Sequence, residues 1–115
     1  RPEVAHLARD MLESLGYRTT VASSGVDALN WFKQPGNSAL VDLLFSDIIM
    51  PGGINGFMLA REFRQIRPDI RVLLTTGYAG GENAHLSDNS EFDVLRKPYT
   101  LDELARKVRT VLDTV

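Results

Sequence analysis

The sequence predicts a doubly wound α/β domain, a parallel sheet with helices on both faces. Three observations carry that prediction. The chain has 115 residues, the size of one domain with a core of its own. Segments with apolar residues three and four apart alternate with short apolar runs of strand length. No repeat, linker or low-complexity segment interrupts the alternation, which is the pattern of strands joined by helical crossovers.

The elements follow in order. From Pro2, a residue suited to a first helical turn, Val4, Leu7, Ala8, Met11, Leu12 and Leu15 make one apolar side of a helix, and Gly16 is placed to stop it. Tyr17 to Ala22, short and rich in Tyr, Thr and Val, predicts a strand. Ser24 caps a helix over 25–33, with Asp27 at the capping-box position, and Pro35-Gly36-Asn37-Ser38 ends it. Val41 to Ser46 is a mostly apolar strand that terminates on Asp47, and Met50-Pro51-Gly52-Gly53 is a loop. Asn55 caps a third long helix whose buried stripe is Leu59, Phe63 and Ile66, closed by Pro68. Its Arg61, Arg64 and Arg67 share another face, a solvated surface or a docking patch. Val72 to Thr76 is a buried-type strand ending at Gly77, a weak helix follows at 84–86, and Val94 to Arg96 is a last short strand before Lys97-Pro98. In the final helix Thr100 and Glu103 form a capping box, Tyr99 and Leu104 a hydrophobic staple, and Leu101, Leu104, Val108, Val111 and Val115 a stripe.

Composition excludes several functions. Cysteine is absent, so disulfides, thiolate metal sites and cysteine nucleophiles are out. With 13 Lys+Arg against 15 Asp+Glu the net charge is −2, which supplies no basic surplus for direct nucleic-acid binding. No apolar run approaches the roughly 20 residues of a membrane span. His6 and His85 lack metal-ligand spacing and read as solvated. The chain opens on Arg1-Pro2 instead of Met, and is expected to be part of a longer one.

Ligands of such sheets bind outside the carboxyl ends of the strands, so the strand exits are the positions to inspect. Three carry chemistry: Asp47, Thr76 with Gly77, and Lys97 with Pro98. Taken singly, each is an ordinary turn or strand residue. Together, a carboxylate, a hydroxyl and an ammonium at one sheet edge suit phosphoryl transfer, the carboxylate attacking while the other two stabilise equatorial oxygens.

These residues resemble the receiver domain of two-component response regulators. The resemblance runs through Leu15-Gly16-Tyr17, Gly25-Val26-Asp27-Ala28-Leu29, Asp47 to Met50-Pro51 and Gly56, Thr76-Gly77, and Lys97-Pro98 followed by Thr100 to Leu104. It implies a flavodoxin-like sheet of order 2-1-3-4-5 whose first strand is absent from this sequence, making residues 1–115 an N-terminally incomplete receiver. Asp47 would accept a phosphoryl group from a phosphohistidine on a histidine kinase or histidine phosphotransfer protein. Thr76 and Lys97 would bind the phosphoryl group, as would the backbone of Ile48 and Gly77, and the Lys97–Pro98 peptide would be cis. Mg²⁺ would be held by Asp47, the Ile49 carbonyl and acidic residues upstream of Arg1. The implied setting is cytoplasmic.

Two departures stand out. The family's switch aromatic, three residues before the lysine, is Val94 here, and the loop Gly52-Gly53-Ile54-Asn55-Gly56 carries one extra residue, a form associated with receivers of hybrid sensor kinases. The rival readings are a receiver-like module that binds a partner constitutively, and a flavodoxin-like cofactor binder, which the lack of a phosphate-cradling loop disfavours. Because the absent strand would lie between Tyr17–Ala22 and Val41–Ser46, those two strands are expected to be separated by one strand's width. The unpaired edges would cost about 1–3 kcal/mol per buried group.

Overall fold

The computed structural model describes residues 2–50, 53–77 and 91–113. Its elements are α1 (Pro2–Ser14), α2 (Gly25–Lys33), α3 (Asn37–Leu40), β1 (Leu43–Asp47), α4 (Gly56–Ile66), β2 (Arg71–Thr76), β3 (Asp93–Arg96) and α5 (Leu101–Asp113). The strands form a parallel sheet of order β1-β2-β3, with Asp47 opposite Thr75 and Thr76 opposite Arg96. This is the α/β architecture expected, with α4 forming the crossover from β1 to β2.

Local chemistry accounts for the helix ends. The Asp27 N–H donates to Ser24 Oγ at 3.0 Å and the Met58 N–H to Asn55 Oδ1 at 2.9 Å. At α5 the Thr100 N–H reaches Glu103 Oε1 at 2.8 Å while the Glu103 N–H reaches Thr100 Oγ1 at 3.0 Å, a reciprocal capping box. Gly16, with φ of 97°, ends α1 in a left-handed turn in which the Tyr17 N–H donates to Leu12 O at 3.1 Å.

Alternate residues of the strands feed two cores. On one face Leu44, Ile48, Val72 and Leu74 pack with Phe32 of α2 and Phe57, Leu59, Ala60 and Phe63 of α4. On the other, Leu73 packs with Leu12 of α1 and with Leu104, Val108 and Val111 of α5, while Leu43, Phe45, Leu95 and Tyr99 lie against them. Helices on both faces make the sheet doubly wound.

Four expectations need correction. Residues 17–22 are not a strand: among the described residues no neighbouring strand offers them a ladder, and β propensity without a partner does not make one. Within Pro35-Gly36-Asn37-Ser38, expected only to end the preceding helix, a helical turn over Asn37–Leu40 begins, entered through Gly36 at φ 84° and tied back by Asn37 Nδ2 donating to Trp31 O at 2.8 Å. The strand expected over Val41 to Ser46 begins at Leu43, because the Val41 carbonyl is taken by Arg67. Arg61 and Arg64 of α4 and Arg67 at its C-cap are braces, not a free patch. Arg61 pairs with Glu91 at 3.1 Å, Arg64 donates to Ile70 O at 3.2 Å and lies over the Phe92 ring, and Arg67 reaches Asp69, Ser38 O and Val41 O. The weak helix at 84–86, with His85, falls outside the described residues, as does Val115.

Candidate functional site

The ladder continues past the strand ends and gathers three exits at one edge. The Ile48 N–H donates to Thr75 O at 2.8 Å, the Lys97 N–H to Thr76 O at 2.8 Å, and the Gly56 N–H to Ile48 O at 2.7 Å. Gly56 has to be glycine: a Cβ there would lie 2.3 Å from the Asp47 carbonyl oxygen. This close approach of α4 to the end of β1 sets the path of the loop that follows Asp47.

At that edge the Lys97 ammonium lies 2.8 Å from Asp47 Oδ1, and the Thr75 hydroxyl donates to the same oxygen. Both side chains of the ion pair are partly exposed, and such a pair contributes only about 0–1 kcal/mol to stability. Its worth is chemical. Both contacts found among the described residues fall on Oδ1 and not on Oδ2, and a cation so placed can stabilise negative charge at that carboxylate.

The structure brings together Asp47 and Lys97, and the Lys97–Pro98 peptide is cis. Thr76 stands differently. Its hydroxyl is buried and has no partner among the described residues, whereas Thr75, which sequence reasoning passed over, holds the carboxylate. The parallel register pairs Asp47 with Thr75, and which of two adjacent threonines meets a carboxylate depends on a one-residue choice of register that their identity does not reveal. Ile48 also differs from expectation: its N–H serves the ladder to Thr75 and is not free for a phosphoryl oxygen. Gly77 is exposed, and no atom of the described residues lies within 4 Å of where a Cβ would be. Ile49 is well exposed beside the carboxylate strand.

Two further groups border the site. Tyr99 packs edge-on to Phe45 with ring centroids 6.4 Å apart, and burial, followed by the negative charge of Asp47, raises its phenol pKa above the ordinary value. Ser46 Oγ donates to the Asp47 carbonyl at 2.8 Å and approaches Met50 Sδ at 3.5 Å, tying the loop to the strand. As a metal site the described residues are incomplete: Asp47 and the Ile49 carbonyl are hard oxygen donors of the type Mg²⁺ takes, but no cluster of three acidic or histidine side chains occurs among them. Nor is any described helix long and apolar enough to cross a membrane.

Comparison with known proteins agrees with this geometry. Residues 1–109 match the response regulator receiver domain family. The chain is 38% identical over 103 residues to the sensor kinase CckA of Brucella abortus, covering 89% of this chain but 11% of that protein. It is 31% identical to the response regulator receiver protein CpdR of the same organism, covering 88% of this chain and 81% of CpdR. A response regulator receiver domain protein from Clostridium thermocellum superposes with a TM-score of 0.82 at 27% identity, covering 98% of this chain and 88% of the other. The chain thus spans a small part of the sensor kinase CckA and most of CpdR and of the Clostridium thermocellum receiver protein. With the fold, the three strand exits and the sequence match in agreement, the chain belongs to the response regulator receiver domain family of two-component signal transduction.

Proposed function

We propose that Asp47 is the phosphoacceptor, taking a phosphoryl group from a phosphohistidine through Oδ2. The observation that carries this reading is the Lys97 ammonium 2.8 Å from Oδ1 at the convergence of three strand ends. Lys97 neutralises charge on the acyl phosphate. The buried hydroxyl of Thr76 lacks a partner among the described residues, a state that costs about 1–3 kcal/mol, and an incoming phosphoryl oxygen would relieve it. Thr75 holds the resting carboxylate, and the exposed backbone of Gly77 leaves room for the group. Switching follows as a population shift, since added negative charge at the sheet edge favours whichever arrangement of the surrounding surface accommodates it.

Receiver domains generally bind Mg²⁺ in an acidic pocket. In this chain Asp47 and the Ile49 carbonyl would contribute to that shell, where the ion offsets phosphoryl charge. Among the described residues β1 is paired on one side only, which supports a further strand at its other edge that would bring the remaining acidic ligands to the same end. The partners of receivers are histidine kinases and phosphotransfer proteins, and the Gly52-Gly53 loop together with the CckA relationship supports a place in a hybrid sensor kinase of the cytoplasm.

Acetyl phosphate with Mg²⁺ tests the assignment directly. Intact-mass spectrometry is expected to show one added phosphoryl group on the parent and none on Asp47→Asn, whose amide preserves the shape but cannot attack. An equal adduct on Asp47→Asn would overturn the reading. Thr76→Ala is expected to accept the group yet bind its partner no more tightly once phosphorylated, whereas Thr75→Val disturbs the resting carboxylate.

A further inference from the structure

Residue 94, a valine, packs into the core on the α2/α4 face of the sheet. Asp47 stands elsewhere. It lies two residues beyond Phe45 on β1, so the two side chains leave the strand on the same side, and Phe45 packs into the α1/α5 core. Against Phe45 lies the ring of Tyr99, at 6.4 Å between centroids and 75° between planes. Tyr99 is thereby held next to the phosphoacceptor strand, on the face where that carboxylate emerges.

The neighbours of Tyr99 in the chain make this placement consequential. Two residues before it, Lys97 pairs with Asp47 at 2.8 Å, and immediately after it Thr100 caps α5 through its reciprocal bonds with Glu103. Tyr99 itself packs in the cluster that contains Leu104, the first buried residue of α5. One short segment therefore joins the cation on Asp47, an aromatic ring on β1 and the cap of the last helix.

We propose that Tyr99 is a positioning residue that carries a change of charge on Asp47 into the first turn of α5. This rests on Asp47 being the group whose charge changes. A half-buried phenol is suited to the task because its O–H dipole responds to a nearby charge that water does not fully screen. The rise in its pKa, caused by burial first and by Asp47 second, agrees with that proximity. The ring supplies the mechanical link. Edge-on packing against Phe45 limits how it can turn, so reorientation of the phenol moves the Thr100 cap.

Amide and aromatic-ring NMR of the 115-residue chain tests the proposal without phosphorylation, because Asp47→Asn itself removes a charge. Expected is a shift of the Tyr99 ring signals and of the amides of Thr100 to Leu104. In Tyr99→Phe, which keeps the ring and its packing, the response of those amides to Asp47→Asn is expected to be lost, while the signals of Phe45 and Val108 stay in place. Tyr99→Leu, which removes the edge contact as well, is expected to lose it too. Amides 100–104 responding in Tyr99→Phe as they do in the parent would overturn the proposal. Acetyl phosphate with Mg²⁺, applied to the full-length protein so that the remaining acidic ligands are supplied, separates the two readings. An adduct that shifts these amides equally in parent and Tyr99→Phe defeats the coupling alone. No adduct, with the Asp47→Asn response still dependent on Tyr99, defeats the phosphoacceptor reading and supports the coupling.

Discussion

The two faces of the sheet are built to different depths. The α2/α4 face is a dense core in which Phe32 and Phe63 stack with centroids 4.0 Å apart and Phe57 meets Phe92 at 6.4 Å. Among the described residues the α1/α5 face buries fewer side chains, Leu12 is at the margin of burial, and Leu7 of α1 is 62% exposed although it lies on the apolar stripe of its helix. The difference follows from what each helix has to lie on. α4 packs on β1 and β2 with α2 against it, and α5 packs on β2 and β3, whereas α1 enters the second core through Leu12, at the margin of burial. A helix stripe is buried only where a strand presents a surface to it.

Substitutions at matched positions on the two faces can break this contrast. Phe63→Ala should have the largest effect, about 3–5 kcal/mol in urea unfolding, since it removes a stacked ring from the dense core. Gly56→Ala comes next, at about 1–3 kcal/mol, because its Cβ would collide with the backbone at Asp47. That variant should also slow phosphorylation, as relief of the clash moves the loop after Asp47. Leu12→Ala is expected to cost no more than about 2 kcal/mol, the low end for a leucine, because its surroundings can collapse. Equal costs for Leu12→Ala and Phe63→Ala would show that the faces are equally consolidated. Leu7→Gln should change stability by less than about 0.5 kcal/mol, as exposed substitutions do. A large loss there would reveal something covering α1.

The smallest effect is a pH dependence at Tyr99. Its phenol has a folded pKa above the ordinary value of 10.0, so the folded chain holds that proton more tightly than the unfolded chain. The associated stability is fully present below the ordinary phenol range and is lost as pH rises through the folded pKa. Tyr99→Phe should therefore decline less steeply than the parent in alkaline unfolding curves. An identical alkaline slope would mean that the phenol is not shielded on this face.

Much of this protein was determined by sequence alone. Caps such as Ser24, Asn55 and Thr100 act within four residues, so local order is enough to place helix starts. The apolar runs and their exits likewise named Asp47 and Lys97, because a parallel sheet gathers strand ends at one edge whatever its details. What only the tertiary structure decided depends on partners distant in the chain. Residues 17–22 have the composition of a strand and are not one, since a strand exists only beside another. Arg61 and Arg64 of α4 and Arg67 at its C-cap became braces because Glu91, Phe92 and the Ser38 and Val41 carbonyls come to meet them. Thr75 and not Thr76 holds Asp47, and the Ile48 N–H is occupied, because pairing register is a property of two strands together and one residue of slip reverses which side chain meets which.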